Sequence, residues 1–272
     1  MPELPEVEVV RTQLEKVVLN KQIIGFDVYY PDIFNGDINR LREVLIGNEV
    51  IRMERYGKYL VFIFKNDDVL ISHLRMEGKY LVRRIEDEKH LSRHDHLVFK
   101  FDDGMELWYH DTRKFGRMDL RKIDDYLLTK PLNALGNEPK NMQEGELYRK
   151  IYKKNVPIKV ALLDQSNIAG LGNIYVDETL FLSNIHPERK ANTITKEEAD
   201  FITLNAVKVL DKALKLGGTT IRTFAAGDIH GRFQNELLVH TKANMPCPVC
   251  NTIIKKIIVG GRGTYFCEKC QK

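Results

Sequence analysis

All four cysteines of the chain fall within its last twenty-six residues. They form two pairs, Cys247-Pro248-Val249-Cys250 and Cys267-Glu268-Lys269-Cys270, with sixteen residues between them. A disulfide framework would spread its bridges through the body of a secreted domain, whereas a local cluster points to metal. Two CxxC knuckles at this separation match a tetrahedral four-thiolate zinc site. Four protein ligands close the coordination shell, so one structural ion is expected; an iron centre or a redox dithiol is the alternative. Between the knuckles, 253–259 and 264–266 read as the strands of a hairpin, with Gly260-Gly261-Arg262-Gly263 as its tip. The glycines permit tight turning and leave one guanidinium projecting. Arg262 is then either incidental to a surface loop or placed to reach phosphates or a groove.

A chain of 272 residues, 43% hydrophobic and 29% charged, has enough apolar material for real cores, and two domains are expected. No apolar run approaches the roughly 18 residues that span a bilayer, and no basic segment leads into an apolar one near the start. These features read as a cytoplasmic protein with no membrane partner. A net charge of +4 leans weakly toward an anionic partner.

The first eight residues, Met1-Pro2-Glu3-Leu4-Pro5-Glu6-Val7-Glu8, precede an amphipathic helix with Val7, Val10, Leu14, Val17 and Val18 on one face. Pro5 suits a helix start, and the acids favour the positive end of the helix dipole. Removal of Met1 would also make Pro2 a free secondary amine beside the Glu3 carboxylate. Both readings, a capped helix start and a reaction centre, stand on these residues. From about 22 to 123 the pattern is β: 59–64 is a continuous apolar run, 69–71 and 80–82 are further strands, and Leu97, Phe99 and Phe101 alternate toward an Asp102-Asp103-Gly104 turn followed by 105–109. Short strands with turns and one helix imply an antiparallel sandwich or barrel. The stretch 129–140, with two prolines and a glycine, reads as a linker. Beyond it lies helix, including a long one opened by a Thr195/Glu198 capping box and stopped by Gly217.

Three further groups could carry chemistry. Gly170-Leu171-Gly172-Asn173 precedes an apolar helical stretch, with Lys150, Lys153, Lys154 and Lys159 upstream; it is either a backbone-gripping turn or a plain connection. Met76 in His73-Leu74-Arg75-Met76, and Arg113 and Phe115 in 111–116, are either core residues or wedges that replace an extruded base. Lys58 heads an apolar strand, as a solvated strand end or as a group held near a reaction centre.

Taken together, these motifs resemble the formamidopyrimidine-DNA glycosylases of bacteria. The likeness runs from Pro2 to Cys270. It rests on Pro2-Glu3-Leu4-Pro5-Glu6-Val7-Glu8, Gly57-Lys58-Tyr59-Leu60, His73-Leu74-Arg75-Met76, His94-Asp95-His96, Arg113-Lys114-Phe115-Gly116, Gly172-Asn173-Ile174-Tyr175 and Gly263-Thr264-Tyr265-Phe266-Cys267. Their joint order is specific where each alone is not. The resemblance implies an α+β fold of two domains: an N-terminal antiparallel β-sandwich with a leading helix (2–130), a linker (131–140), a helix–two-turns–helix domain (141–235) and a β-hairpin zinc finger (236–272), with DNA in the cleft between the lobes. It implies a monomer acting on damaged double-stranded DNA at the bacterial nucleoid. Pro2 matches the nucleophile that forms a Schiff base, Glu3 the proton donor, Lys58 the donor in β-elimination and Arg262 the donor in δ-elimination. His94, Arg113 and Lys154 match DNA contacts, Asn173 a phosphate contact, and Met76, Arg113 and Phe115 the residues that fill the vacated stack. The loop 224–231 matches the one that senses the lesion. Two departures bear on backbone stiffness: Gly136-Asn137-Glu138-Pro139 where the family commonly has Gly-Pro-Glu-Pro, and Ile158-Lys159-Val160 where it commonly has Ile-Lys-Pro.

The implied chemistry needs these residue types. A secondary amine gives an iminium that stays charged, acidifies the C2′ hydrogen and drives loss of the 3′ phosphate. Glu3 must be protonated to assist ring opening, so a raised pKa is expected for it. Two rivals remain: the sister enzyme for oxidised pyrimidines, against which Arg113 and Phe115 argue, and a zinc-ribbon DNA-binding protein without catalysis.

Overall fold

The computed structural model describes residues 1–87, 91–219 and 231–272, together with the backbone of 224–225. Residues up to Asn133 form one compact unit, and Ala134–Thr219 with Gly231–Lys272 form a second.

The first unit opens with α1 (Leu4–Val18), then β1 (Ile23–Val28), α2 (Ile38–Leu45), β2 (Val50–Tyr56), β3 (Tyr59–Phe64), β4 (Asp68–His73), β5 (Lys79–Arg84), β6 (Asp95–Phe101), β7 (Met105–His110) and β8 (Arg117–Lys122). Strands β2-β3-β4-β8 make one antiparallel sheet; β1-β6-β7-β5 make the other, and β9 (Phe224–Ala225) adds to β5 in parallel. Val7, Val10, Leu14 and Val18 of α1 share a core with Leu60, Phe62 and Phe64 of β3 and with Leu97, Phe99, Phe101, Leu107 and Tyr109 of the second sheet. The helical stripe and the alternating faces therefore point at one another, as a sandwich requires. Strands β3 and β4 are buried along nearly their whole length, in keeping with their uninterrupted apolar runs. Helix α2, capped by Asp37 whose Oδ1 accepts from the Asn39 amide, adds a second helix to this unit. Its apolar residues Ile38, Leu41, Val44 and Leu45 are spaced for one helical face, but two turns are too short for that period to stand out among the surrounding strands.

The second unit contains α3 (Glu146–Ile151), α4 (Ile158–Leu163), α5 (Asn173–Leu182) and α6 (Lys196–Lys215), then the hairpin β10 (Lys255–Val259) and β11 (Arg262–Phe266). The Thr195/Glu198 capping box is present at α6, and Arg189 grips the same Glu198 carboxylate through both terminal nitrogens at 2.6 Å. Gly217 ends the helix at φ +74°. In the hairpin, Gly260 (φ +56°) and Gly261 (φ +74°) make the turn, and Val259 pairs with Arg262. Arg262 therefore opens the returning strand instead of standing at the apex.

Both departures from the family pattern are accommodated. The Asn137 amide donates to both oxygens of Glu146 at 3.0 and 3.1 Å, and its carbonyl accepts from Ala169. A Cβ on Gly136 would lie 2.6 Å from the Ser166 carbonyl, so the chain is held tightly there. Val160 packs so closely on the hairpin turn that a Cβ on Gly260 would lie 2.6 Å from its methyl.

Candidate active site and zinc centre

Pro2 is buried and Glu3 is 2% exposed, while Met1 is 41% exposed. The Glu3 amide donates to Glu6 Oε2 at 2.9 Å and the Glu3 carbonyl accepts from Val7, so the backbone beside Pro2 is fixed by the first turn of α1. Capping and burial are thus properties of the same residues. Lys58 sits in the two-residue turn Gly57-Lys58 between β2 and β3, with Gly57 at φ +54°. At 5% exposure it is not a solvated strand end.

Beside Lys58 lies His73, the last residue of β4, paired with Tyr59 and in edge contact with its ring at 4.5 Å. Burial, and then the charges of Arg75 and Lys58, push the His73 pKa down to about 3. The neutral ring keeps Nδ1 as an acceptor for the Arg75 amide at 2.9 Å, which holds Arg75 at φ +52°, unusual for a non-glycine. A histidine whose folded pKa lies below its unfolded value near 6.5 stabilises the fold above that value, and the contribution is lost as pH falls toward 3. Between pH 7 and 5 the wild type is expected to lose about 2 kcal/mol relative to His73→Asn, which keeps an acceptor but does not titrate. The single tryptophan, Trp108, lies in this unit and reports its unfolding by fluorescence. Parallel pH profiles for the two proteins would contradict the assignment.

The turns bearing the other candidates close on Tyr109. A Cβ on Gly78 would lie 2.5 Å from the Tyr109 hydroxyl and 2.5 Å from the Leu74 carbonyl, and one on Gly116 only 1.7 Å from the same hydroxyl. The two glycines thus let the Met76 and Phe115 loops approach one buried phenol, a role the sequence reading did not find. Asp111, fully buried, fastens the second loop by accepting from the Arg113 amide at 3.0 Å and the Gly116 amide at 2.8 Å. Phe115 is 48% exposed, with the Arg113 guanidinium 4.6 Å above its ring, so it is not a core residue. Met76 is half-buried. His94 is half-buried too, its carbonyl bonded to the Asp111 amide and its ring against His110, which Asp95 holds at 2.7 Å.

In the second unit, Asn173 is the first residue of α5. Its amide donates to the Gly263 carbonyl at 2.9 Å, and its Oδ1 is a buried acceptor without a hydrogen-bond partner among the described residues. Lys154 pairs with Asp164 at 3.0 Å. Lys159 is not a surface base: it is fully buried, 2.7 Å from Asp177 Oδ1 and 3.2 Å from the Gly263 carbonyl. Asp177 Oδ2 also accepts from His240 Nδ1 and the Tyr265 amide. Next to it, Glu178 accepts three successive backbone amides, from Leu238, Val239 and His240. Burial nonetheless pushes the Glu178 carboxyl up, against the pull of those amides. Asp177 fastens Tyr265 to α5 directly and Gly263, the residue after Arg262, through Lys159, while Glu178 fastens the chain leading into the finger. The loop 224–231 lies outside the described residues except for the β9 backbone and Gly231.

The four cysteine sulfurs lie within 4.8 Å of one another, with Cys247 to Cys270 at 3.9 Å and Cys250 to Cys267 at 3.4 Å. A regular tetrahedron with Zn–S of about 2.3 Å has edges of about 3.8 Å, so the set fits zinc. Burial, followed by thiol–thiol hydrogen bonds, pushes Cys270 up to about 12, while hydrogen bonds from Thr252 pull Cys250 down to about 6. Ionising the whole set calls for a cation at its centre. Phe181, Val239 and Ile254 pack around Cys247 and Cys267. The centre is one structural zinc.

A β-sandwich with a buried N-terminal proline and acid, a helical module and a four-thiolate hairpin define a DNA glycosylase of the zinc-finger, helix–two-turns–helix class. The chain belongs to the formamidopyrimidine-DNA glycosylase family. Residues 1–118 match its N-terminal domain, 135–225 its H2TH domain, and 246–272 the zinc finger found in FPG and IleRS. The formamidopyrimidine-DNA glycosylase of Mycoplasma mobile is 44% identical over 274 residues, covering 100% of this chain and 99% of that protein. The fold matches Lactococcus lactis Fpg in complex with abasic-site DNA at a TM-score of 0.92 and 40% identity, with both chains covered in full. MutM in complex with DNA containing carbocyclic 8-oxo-G matches at a TM-score of 0.92 and 41% identity, again with full coverage. Among the described residues no helix is long and apolar enough to cross a membrane.

Proposed function

We propose that this chain removes oxidised purines, 8-oxoguanine and formamidopyrimidines, from duplex DNA and then cleaves the strand by β,δ-elimination. The observation that carries this reading is the burial of Pro2, Glu3 and Lys58 at a capped helix start and an adjoining tight turn, in a chain whose relatives are glycosylases. With Met1 removed, the Pro2 nitrogen lone pair attacks C1′ of the extruded nucleotide. The glycosidic bond breaks, the base departs with its electron pair, and Glu3 supplies the proton that assists opening of the sugar ring. The resulting iminium withdraws electrons from C2′. Loss of a C2′ proton then forms the C2′–C3′ double bond and expels the 3′ phosphate with the C3′–O electron pair, with Lys58 as donor in β-elimination, and δ-elimination with Arg262 as donor releases the 5′ phosphate. Zinc takes no part in these steps.

His94, Arg113 and Lys154 are read as DNA contacts and Asn173 as a phosphate contact. Met76, Arg113 and Phe115 are read as the wedge; an exposed phenylalanine under a guanidinium has the shape and the solvation penalty that an unstacked base step would relieve. A chromosomal substrate would place the protein at the nucleoid.

The test is borohydride trapping on duplex DNA bearing 8-oxoguanine opposite cytosine. A covalent adduct mapping to residue 2 is expected. Tight binding with no adduct would instead support a DNA-binding module without catalysis.

A further inference from the structure

Lys58 has to act on the sugar that Pro2 holds, yet the two residues sit on different elements: Pro2 ahead of α1, Lys58 in the β2–β3 turn. The helix packs on both strands. One side chain bridges the junction. Arg55, on β2, donates from Nε to Glu8 Oε2 at 2.8 Å and from Nη1 to the Gly57 carbonyl at 2.9 Å. Glu8, just over one turn into α1, keeps its other oxygen on Arg11 at 2.8 Å, and Arg11 reaches Glu15 at 2.9 Å. One face of α1 is thereby laced to the carbonyl that immediately precedes Lys58.

We infer that Arg55 and Glu8 are positioning residues for β-elimination, fixing the Lys58 turn relative to the helix start that carries Pro2; this rests on the reading of Pro2 and Lys58 given above. Gly57 at φ +54° is a residue whose backbone has many accessible conformations, so the Arg55 bond to its carbonyl supplies a restraint that the glycine itself does not. From its other side the turn is steadied by Tyr56, whose hydroxyl donates to Glu54 Oε2 at 3.0 Å, an oxygen that also accepts from Tyr126. A partly exposed ion pair, with Arg55 at 13% and Glu8 at 25%, contributes little to stability. Its geometric effect is another matter, because a displacement of about 1 Å at a reacting group can cost about a hundredfold in rate. A large kinetic loss beside a small loss of stability is the signature that separates positioning from scaffolding.

The measurement is single-turnover strand cleavage at a preformed abasic site, with DNA affinity and melting temperature taken in parallel. Arg55→Met is expected to slow cleavage by about ten- to a hundredfold with DNA affinity unchanged within about threefold. Arg55→Lys should recover part of the rate, since an ammonium reaches one acceptor where the guanidinium fork reaches two. In a Lys58→Ala background the same Arg55→Met change should cost less than about twofold, because the group being positioned is gone. An equal cost in both backgrounds, or a fall in affinity that tracks the rate, would overturn the inference. Wild-type cleavage by Arg55→Met, in a protein that still traps on borohydride, overturns the positioning role alone. A wild-type protein that forms no adduct overturns the reading of Pro2, and this inference with it.

Discussion

Protein carrying an uncleavable extension ahead of Pro2, or retaining Met1, is expected to give no borohydride adduct and to lose about a thousandfold or more of its strand-cleaving rate, some 4 kcal/mol of barrier. Acylation turns the Pro2 nitrogen into a tertiary amide whose lone pair is delocalised into the carbonyl. Such a nitrogen neither attacks C1′ nor carries the charge that acidifies C2′. Pro2 and Glu3 are buried and their backbone is fixed by the α1 capping box, so an extension has to leave through the space at Met1, which is 41% exposed. The fold should tolerate that. Zinc content and DNA affinity are therefore expected to match the free-terminus protein, measured by atomic absorption and fluorescence anisotropy. Full cleavage by the extended protein would remove Pro2 from the mechanism. Loss of DNA affinity together with cleavage would show that the extension blocks the surface and not the amine.

Much of this site is written in short motifs, and what is legible there has a physical reason. A four-thiolate centre needs its ligands two by two on knuckles, so the spacing of Cys247, Cys250, Cys267 and Cys270 announces the tetrahedron directly. Alternation at Leu97, Phe99 and Phe101 and the stripe on α1 give the two faces of the sandwich for the same kind of reason: periodicity is set by local geometry. Tyr109, Asp111 and Arg55 stayed hidden because their importance arises only when distant turns meet. Gly78 and Gly116 are thirty-eight positions apart, yet both are glycine because one phenol lies between them. Lys159 stands in the sequence beside Lys150, Lys153 and Lys154 as one more base ahead of the glycine turn, and charge composition carries no information about its burial. A usable signal did exist. Asp177-Glu178 interrupts an otherwise apolar helical stretch, and a buried acid requires partners. Seen that way, the pair calls for a buried cation and for backbone donors, and Lys159 and the amides of 238–240 supply them.

Asp177→Ala should be the most damaging substitution in the second unit that touches neither zinc nor the residues proposed to contact DNA. It removes the carboxylate from a fully buried lysine ammonium, from His240 and from the Tyr265 amide at once. Breaking a buried ion pair from one side costs about 3–5 kcal/mol, because the remaining charge keeps its desolvation penalty and loses its compensation. For a unit of this size that corresponds to a fall of roughly 10–20 °C in its calorimetric transition. The double variant Asp177→Leu with Lys159→Met tests the cause. If the penalty comes from the stranded charge, replacing both partners with apolar groups should recover much of the lost stability. Its hairpin would still lack the Lys159 bond to the Gly263 carbonyl, which neighbours Arg262. The double variant is thus expected to melt near the wild type while its δ-elimination lags behind its β-elimination, resolved as the two cleavage products on a denaturing gel. A double variant as unstable as Asp177→Ala would place the cost in lost packing and backbone hydrogen bonds. One that is stable, with a wild-type product ratio, would show that Gly263 needs only Asn173 to hold it.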